Sequence, residues 1–373
     1  MLHAAETVGD LILLTWLPEE PGPARQLAAE GYAAIRSCLA AKGAVPLQER
    51  VFGWLSSAPC VLKARRDAWS GVSDVVPATY VEGPPFQAGG FAGLHVLAAR
   101  AIGPPRPIAR GGRTCGLVVD TASATFLALS DVGRLVHGRG CLPPAEEVAA
   151  TLAVAEECLA RAGWSYGDVV RTWFYLRDIL DWYGAFNQVR SCAYRRFGLL
   201  KAEGENGIPA STGIEGRNAA GGWCALDLLA VRPRPGHALS VRRLHGRRQG
   251  EASQYGSAFA RAVSLEADGR RCIFVSGTAS IDEEGASTHP GDFEAQVRHT
   301  LEVGEALLEE AGAELKDVRQ ATAFVKHALD ASAFGRIASR TGLAGVPTVG
   351  TVADICRDEL LFELDATATV ETR

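Results

Sequence analysis

Residues 346–354 and 362–370 read VPTVGTVAD and FELDATATV, and Asp365 follows Pro347 at an offset of 18. The same pairing occurs twice more. IPASTGIEG (208–216) precedes CALDLLAVR (224–232), with Pro209 and Asp227 at the same offset, and VPATYVEG (76–83) precedes GLHVLAAR (93–100), with Pro77 and His95 at that offset again. The prolines are spaced by 132 and 138 residues, so each copy occupies about a third of the 373 residues, a small-domain length. The chain therefore reads as a tandem triplication whose copies can be compared with one another. Glu363 stands where the other copies have Ala225 and Gly93. It is a carboxyl that the repeated scaffold does not itself call for.

Working outward from the third copy, SAFARAVSLE and RCIFVSGTASI read as a strand pair. FEAQVRHTLEVGEALLEEAG follows as an amphipathic helix stopping at Gly312, and QATAFVKHA reads as a strand. A second helix around Asp330 to Ser339, a loop opening at Pro347 and the strand LLFELDATATV complete a ββαβαβ order. The middle copy repeats it with VVDTASATFLALS, a helix ending at Gly163, RTWFYLRDI, the helix DWYGAFNQVRSCAYRRFG, the loop PASTGIEG and CALDLLAVR. The first copy keeps a helix ending at Gly43, the strand ERVFGWLSS and a shorter helix around Lys63 to Trp69, with its opening strands least clear. This gives units at 1–105, 106–240 and 241–373. Each is an α+β unit whose helices cover one sheet face, and the other face needs a partner. The expected assembly is an intramolecular pseudo-trimer around a barrel-like core of three sheets, with clefts between neighbouring units. A linear solenoid is the rival arrangement, and the units are too large and complete for it.

Composition narrows the function. With 47% hydrophobic and 22% charged residues the chain can bury a large core, and a net charge of −5 gives no nucleic-acid footprint. The run RRLHGRR (242–248) is the basic exception and reads as a solvated linker. Nine cysteines without a CxxC pair suggest reduced thiols and a cytoplasmic protein, and eight histidines without ligand spacing suggest no metal cofactor. The first twenty residues lack a basic leader region, and their apolar stretch is too short to span a membrane.

The motifs VSGTASI, AFVKHALD and FELDATA resemble the RidA/YjgF family of trimeric enamine and imine deaminases, which implies three fused RidA/YjgF-like (chorismate-mutase-like) units. The chain departs from that family at the arginine that follows its loop proline, because Thr348 and Val349 follow Pro347 here. RTWFYL, DWYGAFNQVR, PASTGI, YGSAFARA, FVSGTASI and VADICRDELLFELDA, in that order, resemble the chorismatases, single-chain enzymes that release pyruvate from chorismate. The resemblance implies a cofactor-free, metal-free enzyme acting on one small molecule, chorismate, and the intramolecular trimer suggests a monomer.

It also implies roles for individual residues. Glu363, flanked by Leu360, Leu361, Phe362 and Leu364, takes the place of the family's proton donor, and its apolar strand is expected to raise its pKa. Arg190 and Arg336, on equivalent second helices of adjacent units, match substrate-contacting arginines, and Tyr183 matches a contacting tyrosine. Tyr255 falls in a tyrosine-bearing stretch, although Glu251 replaces a second family tyrosine. Gly277 and Cys356 match the glycine and cysteine of the members that make 3-hydroxybenzoate rather than a dihydroxy diene. From the residues themselves, Thr212 and Gly213 offer a hydroxyl and an approachable backbone amide, with a plain turn as the alternative. The expected activity is cleavage of chorismate to 3-hydroxybenzoate and pyruvate. The rival readings are a diene-forming chorismate hydrolase, an enamine or imine deaminase and a non-catalytic binding module.

Overall fold

A sheet covered by helices on one face and by other sheets on the other must be apolar on both, and the last strand shows how one sequence serves two cores. In Phe362–Glu371, Phe362, Leu364, Ala366 and Ala368 pack with the local helices, and Glu363, Asp365 and Thr367 point the other way, toward the neighbouring units. Residues 11–14 alternate likewise: Ile12 and Leu14 join the first unit's helix-side core, and Leu11 and Leu13 join the core shared by all three units. Period 2 thus sorts each strand into a private face and a shared one.

The computed structural model describes residues 1–71, 76–87, 89–136, 142–201, 207–250 and 256–372. The first unit comprises β1 (Leu2–Glu6), β2 (Leu11–Trp16), α1 (Ala24–Lys42), β3 (Val45–Gly53), α2 (Ala58–Ala68), β4 (Ala78–Glu82) and β5 (Phe91–Ala99). The middle unit follows with β6 (Arg106–Arg110), β7 (Arg113–Asp120), β8 (Ala124–Leu129), α3 (Pro144–Arg161), β9 (Val169–Leu176), α4 (Ile179–Arg196), β10 (Ala210–Glu215) and β11 (Cys224–Pro233). The last has β12 (Ser240–Leu244), β13 (Ala262–Ala267), β14 (Arg270–Ala279), α5 (Phe293–Glu310), β15 (Val318–Val325), α6 (Ala331–Ala338), β16 (Thr348–Val352) and β17 (Phe362–Glu371). Sheet orders β1-β2-β5-β3-β4, β6-β7-β8-β11-β9-β10 and β12-β13-β14-β17-β15-β16 share one plan, in which the final pair is parallel and the other pairs antiparallel. Gly163 and Gly312, at φ +78° and +72°, stop the long helices of the last two units in the left-handed conformation.

Several expectations change. The segments after Pro77, Pro209 and Pro347 are edge strands rather than loops, since each backbone pairs in parallel with the strand before the second helix. A proline at the start of an edge strand removes no needed ladder bond. The apolar N-terminal stretch is the β1–β2 hairpin. Arg242–Leu244, expected in a linker, belong to β12 and pair with β13. The three sheets do not close into a barrel. Among the described residues their backbones meet at isolated bridges, Val81 with Asn218, Ala210 with Ala260 and Pro85 with Thr351, and where Glu215 N–H donates to the Asp354 carbonyl at 3.1 Å. No helix among these residues is long and apolar enough to cross a membrane.

Polar side chains lock the units across the shared core. Gln320 Nε2 donates to the Leu14 carbonyl at 3.0 Å, and its Oε1 accepts from Arg50 at 3.0 Å, both in the first unit. Gln320→Leu keeps the approximate volume but strands both partners. It is expected to cost about 1–3 kcal/mol, read as a lower midpoint at constant slope in urea unfolding.

Candidate active site

The face alternation of β17 aims Glu363 into the interface between the middle and last units, and there it meets a cavity of about 220 Å³. The middle unit contributes Tyr183, Asn187 and Arg190 from α4 and Ser211 and Gly213 from β10. The last unit contributes Gln249, Phe259, Arg261, Gly277, Cys356, Arg357 and Glu363. The wall joining the units is a hydrogen-bonded seam: Ala260 N–H donates to the Pro209 carbonyl at 2.9 Å, Ser211 N–H to Ser276 Oγ at 2.8 Å, and Ser276 Oγ to the Ala260 carbonyl at 2.6 Å.

Glu363 is 4% exposed, and its carboxyl makes no hydrogen bond among the described residues. Burial, reinforced by the Asp365 charge and opposed by Arg171, pushes its pKa from 4.5 to about 8. The acid therefore carries its proton at neutral pH. Gly277 lies where β14 bulges opposite β17, and a Cβ there would sit 2.0 Å from Glu363 Oε1. The carboxyl occupies the space that a side chain at 277 would fill.

Arg190 is 1% exposed and has no carboxylate partner among the described residues. NH2 donates to Asn187 Oδ1 at 2.7 Å, NH1 lies 3.5 Å from Ser211 Oγ, and Nε has no acceptor among the described residues. The rings of Phe186 and Phe259 flank the guanidinium at 4.8 and 5.5 Å. The first unit gives the contrast. Its second helix also buries an arginine, Arg65, but Glu49 neutralises that one through bonds of 2.8 and 3.1 Å. In the strand register Thr172 takes the place of Glu49 in the middle unit, so that position supplies no carboxylate to the cation facing the cavity.

Among the other expected residues, Tyr183, Gly213, Gly277 and Cys356 all line the cavity. The Cys356 thiol, pushed up to about 12 mainly by burial and then by the Glu363 charge, stays neutral and lies within hydrogen-bonding reach of Tyr183. Thr212 is a correction. Its hydroxyl accepts from Arg171 at 2.6 Å and donates to Asp365 at 3.0 Å, inside the shared core, and its neighbours Ser211 and Gly213 face the cavity. Reading PASTGI as a strand would have predicted this alternation. Arg336 is also displaced. It lies on the exposed face of α6, 3.8 Å from Glu294, because Phe334 and Ile337 form the buried face of that helix. Tyr255 falls outside the described residues.

Sequence reading missed Arg261 and Arg357. Arg261 Nε donates to the Gly250 carbonyl at 2.9 Å, and Arg357 NH1 donates to the Gly285 carbonyl at 2.8 Å. Adjacency to Cys356 was the available signal for Arg357, and nothing local marks Arg261. Asn187 precedes Arg190 by one helical turn, a spacing that reveals the pair only once the helix face is known. Among the described residues no group of three or more His, Cys, Asp or Glu is placed to hold a metal ion.

A family model described as Endoribonuclease L-PSP matches residues 257–370. A RutC family protein of Pyrococcus abyssi is 32% identical over 100 residues, covering 26% of this chain and 79% of the relative. The 3-aminoacrylate deaminase RutC of Acinetobacter baylyi is 37% identical over 65 residues, 17% of this chain and 52% of the relative. Among solved structures a chorismatase superposes with a TM-score of 0.63 over 99% of this chain and 98% of that one, at 19% identity. That likeness is one of fold across the whole length.

Two measurements test this geometry. Glu363 favours folding fully only below pH 4.5, and this contribution is lost as pH rises through about 8, because the unfolded chain ionises first. Glu363→Gln should therefore stabilise the protein increasingly across that window, by up to a few kcal/mol, seen as a melting-temperature gain at pH 8 but little at pH 4. Gly277→Ala should displace the Glu363 carboxyl by about 1 Å or more in a crystal structure, at a cost of about 1–3 kcal/mol.

Proposed function

Because the chain belongs to the RutC family of RidA/YjgF-like proteins, and its whole length has the fold of a chorismatase, we propose that it cleaves chorismate to 3-hydroxybenzoate and pyruvate. The observation that carries this reading is one cavity holding both a proton-bearing carboxyl, Glu363, and a buried guanidinium with no carboxylate partner among the described residues, Arg190. An enol ether bearing carboxylates needs that combination. The cation meets a carboxylate, and the neutral acid protonates the terminal enol carbon to give an oxocarbenium.

In this reading Arg190 receives one substrate carboxylate, with Arg261 and Arg357 adding positive potential on the opposite wall. Tyr183 and the backbone of Gly213 orient the ring. Phe259 and Phe186 pack against the Arg190 guanidinium and shield it from water, which strengthens its hold on an anion. Glu363 then donates its proton, pyruvate leaves, and the ring is captured by its own neighbouring hydroxyl to give an arene-oxide-like species that aromatises. Atoms balance without added water: chorismate equals 3-hydroxybenzoate plus pyruvate. Gly277 and Cys356 support internal capture because both are small and uncharged, and the absence of a side chain at 277 lets the acid sit close against β14.

Incubation with chorismate is expected to yield pyruvate and an aromatic product. A non-aromatic diene would assign the hydrolytic branch, and ammonia from an enamine without pyruvate from chorismate would overturn the proposal. Glu363→Gln should lower turnover by about 10²–10⁴-fold with the fold retained by circular dichroism. For the parent, kcat/KM should fall as pH rises through about 8, where the acid loses its proton. Arg190→Gln should raise KM by about 10- to 100-fold through loss of a charged hydrogen bond.

A further inference from the structure

The three inter-unit contacts are built by one repeat, and one buried position sets apart the contact that contains Glu363. Strand register places Gln48, Arg171 and Gln320 at equivalent points, opposite Leu97, Leu229 and Thr367. Gln48 donates to the carbonyls of Leu129 at 2.9 Å and Leu228 at 3.3 Å in the middle unit, and Gln320 to that of Leu14 in the first. Both are neutral amides bridging to backbone. Arg171, at the contact that contains Glu363, brings a full charge instead and is 1% exposed. Its NH2 lies 3.1 Å from Asp365 Oδ2, and the same oxygen accepts from Trp173 Nε1 and Thr212 Oγ1, each at 3.0 Å.

A buried ion pair where the sister contacts use an amide is costly, and ordinary scaffolding does not require it. The sheet geometry supplies a use. Asp365 follows Glu363 by two residues on β17, so the two carboxyls share a face with their α-carbons about 7 Å apart. We propose that Asp365 is a positioning residue for the site: its carboxylate, clamped across the interface by Arg171, Trp173 and Thr212, holds neighbouring Glu363 in the proton-bearing form that the proposed reaction needs. This rests on reading Glu363 as the acid. Three donors, one of them a guanidinium, converge on one oxygen of Asp365, and a carboxylate fixed beside Glu363 opposes ionisation of that neighbour.

Other charged and titratable groups surround the pair. Arg171 and Tyr175 come from β9, Arg50 from β3 lies 4.0 Å from Asp365, Tyr183 and Arg190 come from α4, and Arg261, Cys356 and Arg357 line the cavity. Among their fields on Glu363, that of Asp365 outweighs the opposing one of Arg171. The sister carboxylate Asp227, bonded to Thr79 at 2.5 Å and to the Asp131 N–H at 2.8 Å, has Ala225 two residues before it and thus no acid to hold.

The test reads the Glu363 proton without substrate, by titrating the carboxylic-acid C=O infrared band that Glu363→Gln removes. Asp365→Asn should move its midpoint down by about one pH unit or more. Asp365→Glu, which keeps the charge, should restore it, and Asp227→Asn should destabilise the fold without moving it. If Asp365→Asn fails to fold with Arg171 unpaired, the double variant Arg171→Gln/Asp365→Asn removes both charges, and its midpoint should still fall, by a smaller amount. An unchanged or raised midpoint in the folded variant overturns the proposal. Because the band is read without turnover, failure to cleave chorismate would sink the proposed function and leave this result standing. In an active enzyme the basic limb of the pyruvate-release profile should shift with the band.

Discussion

Each of the three sheets has a face that its own helices leave uncovered, and those faces bury one another. The shared core takes Leu11 and Leu13 from the first unit, Phe126 and Tyr175 from the middle and Phe274 and Phe324 from the last. Everything at the site depends on that mutual burial. Polar side chains that enter the shared region lose water and must find partners in the neighbouring unit, so they become cross-links: Thr79 to Asp227, Thr212 to Asp365, and His95 Nε2 to Thr322 at 3.2 Å. A carboxyl left without such a link, as Glu363 is, keeps its proton instead.

Triplication also explains how a single cavity of this kind arises from a symmetric plan. Where the first unit neutralises its buried helix arginine with Glu49, the middle unit has Thr172 and leaves Arg190 open to the cavity. Where two units use glutamine to reach the next sheet, the middle one uses Arg171. Two substitutions against the repeat thus polarise one interface. At the junction of the last and first units a cavity of about 170 Å³ is lined by Phe86, Phe91, Thr348 and Gly350, and no charged residue among the described ones faces it. Divergence between copies, rather than the repeated frame, carries the chemistry.

Much of the frame was legible because the repeat could be aligned with itself. The α+β class, the three units and an acid at 363 without counterpart in the sister copies all follow from period and offset, whereas its inward face is given by the structure. The parallel edge strands were not legible, because a proline- and glycine-containing segment such as PASTGIEG reads as a turn until a neighbouring strand is there to pair with it. The same pairing decides the site, because strand alternation turns Ser211 and Gly213 to the cavity and Thr212 to the shared core. Arg336 was misplaced for a related reason: helix equivalence fixes which helix an arginine occupies, whereas the face it takes depends on which neighbours, here Phe334 and Ile337, the core claims.

The sequence by itself determined the repeat, the strand alternation and the one carboxyl without a counterpart, because these are properties of order along the chain. Tertiary structure alone decided that Arg190 lacks a carboxylate partner among the described residues, that Gly277 vacates the space Glu363 fills, and that Arg171 and Asp365 meet across a 194-residue separation. Charge compensation and close approach depend on distance in space. No pattern of spacing along the chain encodes which groups from different units become neighbours once three sheets bury the same core.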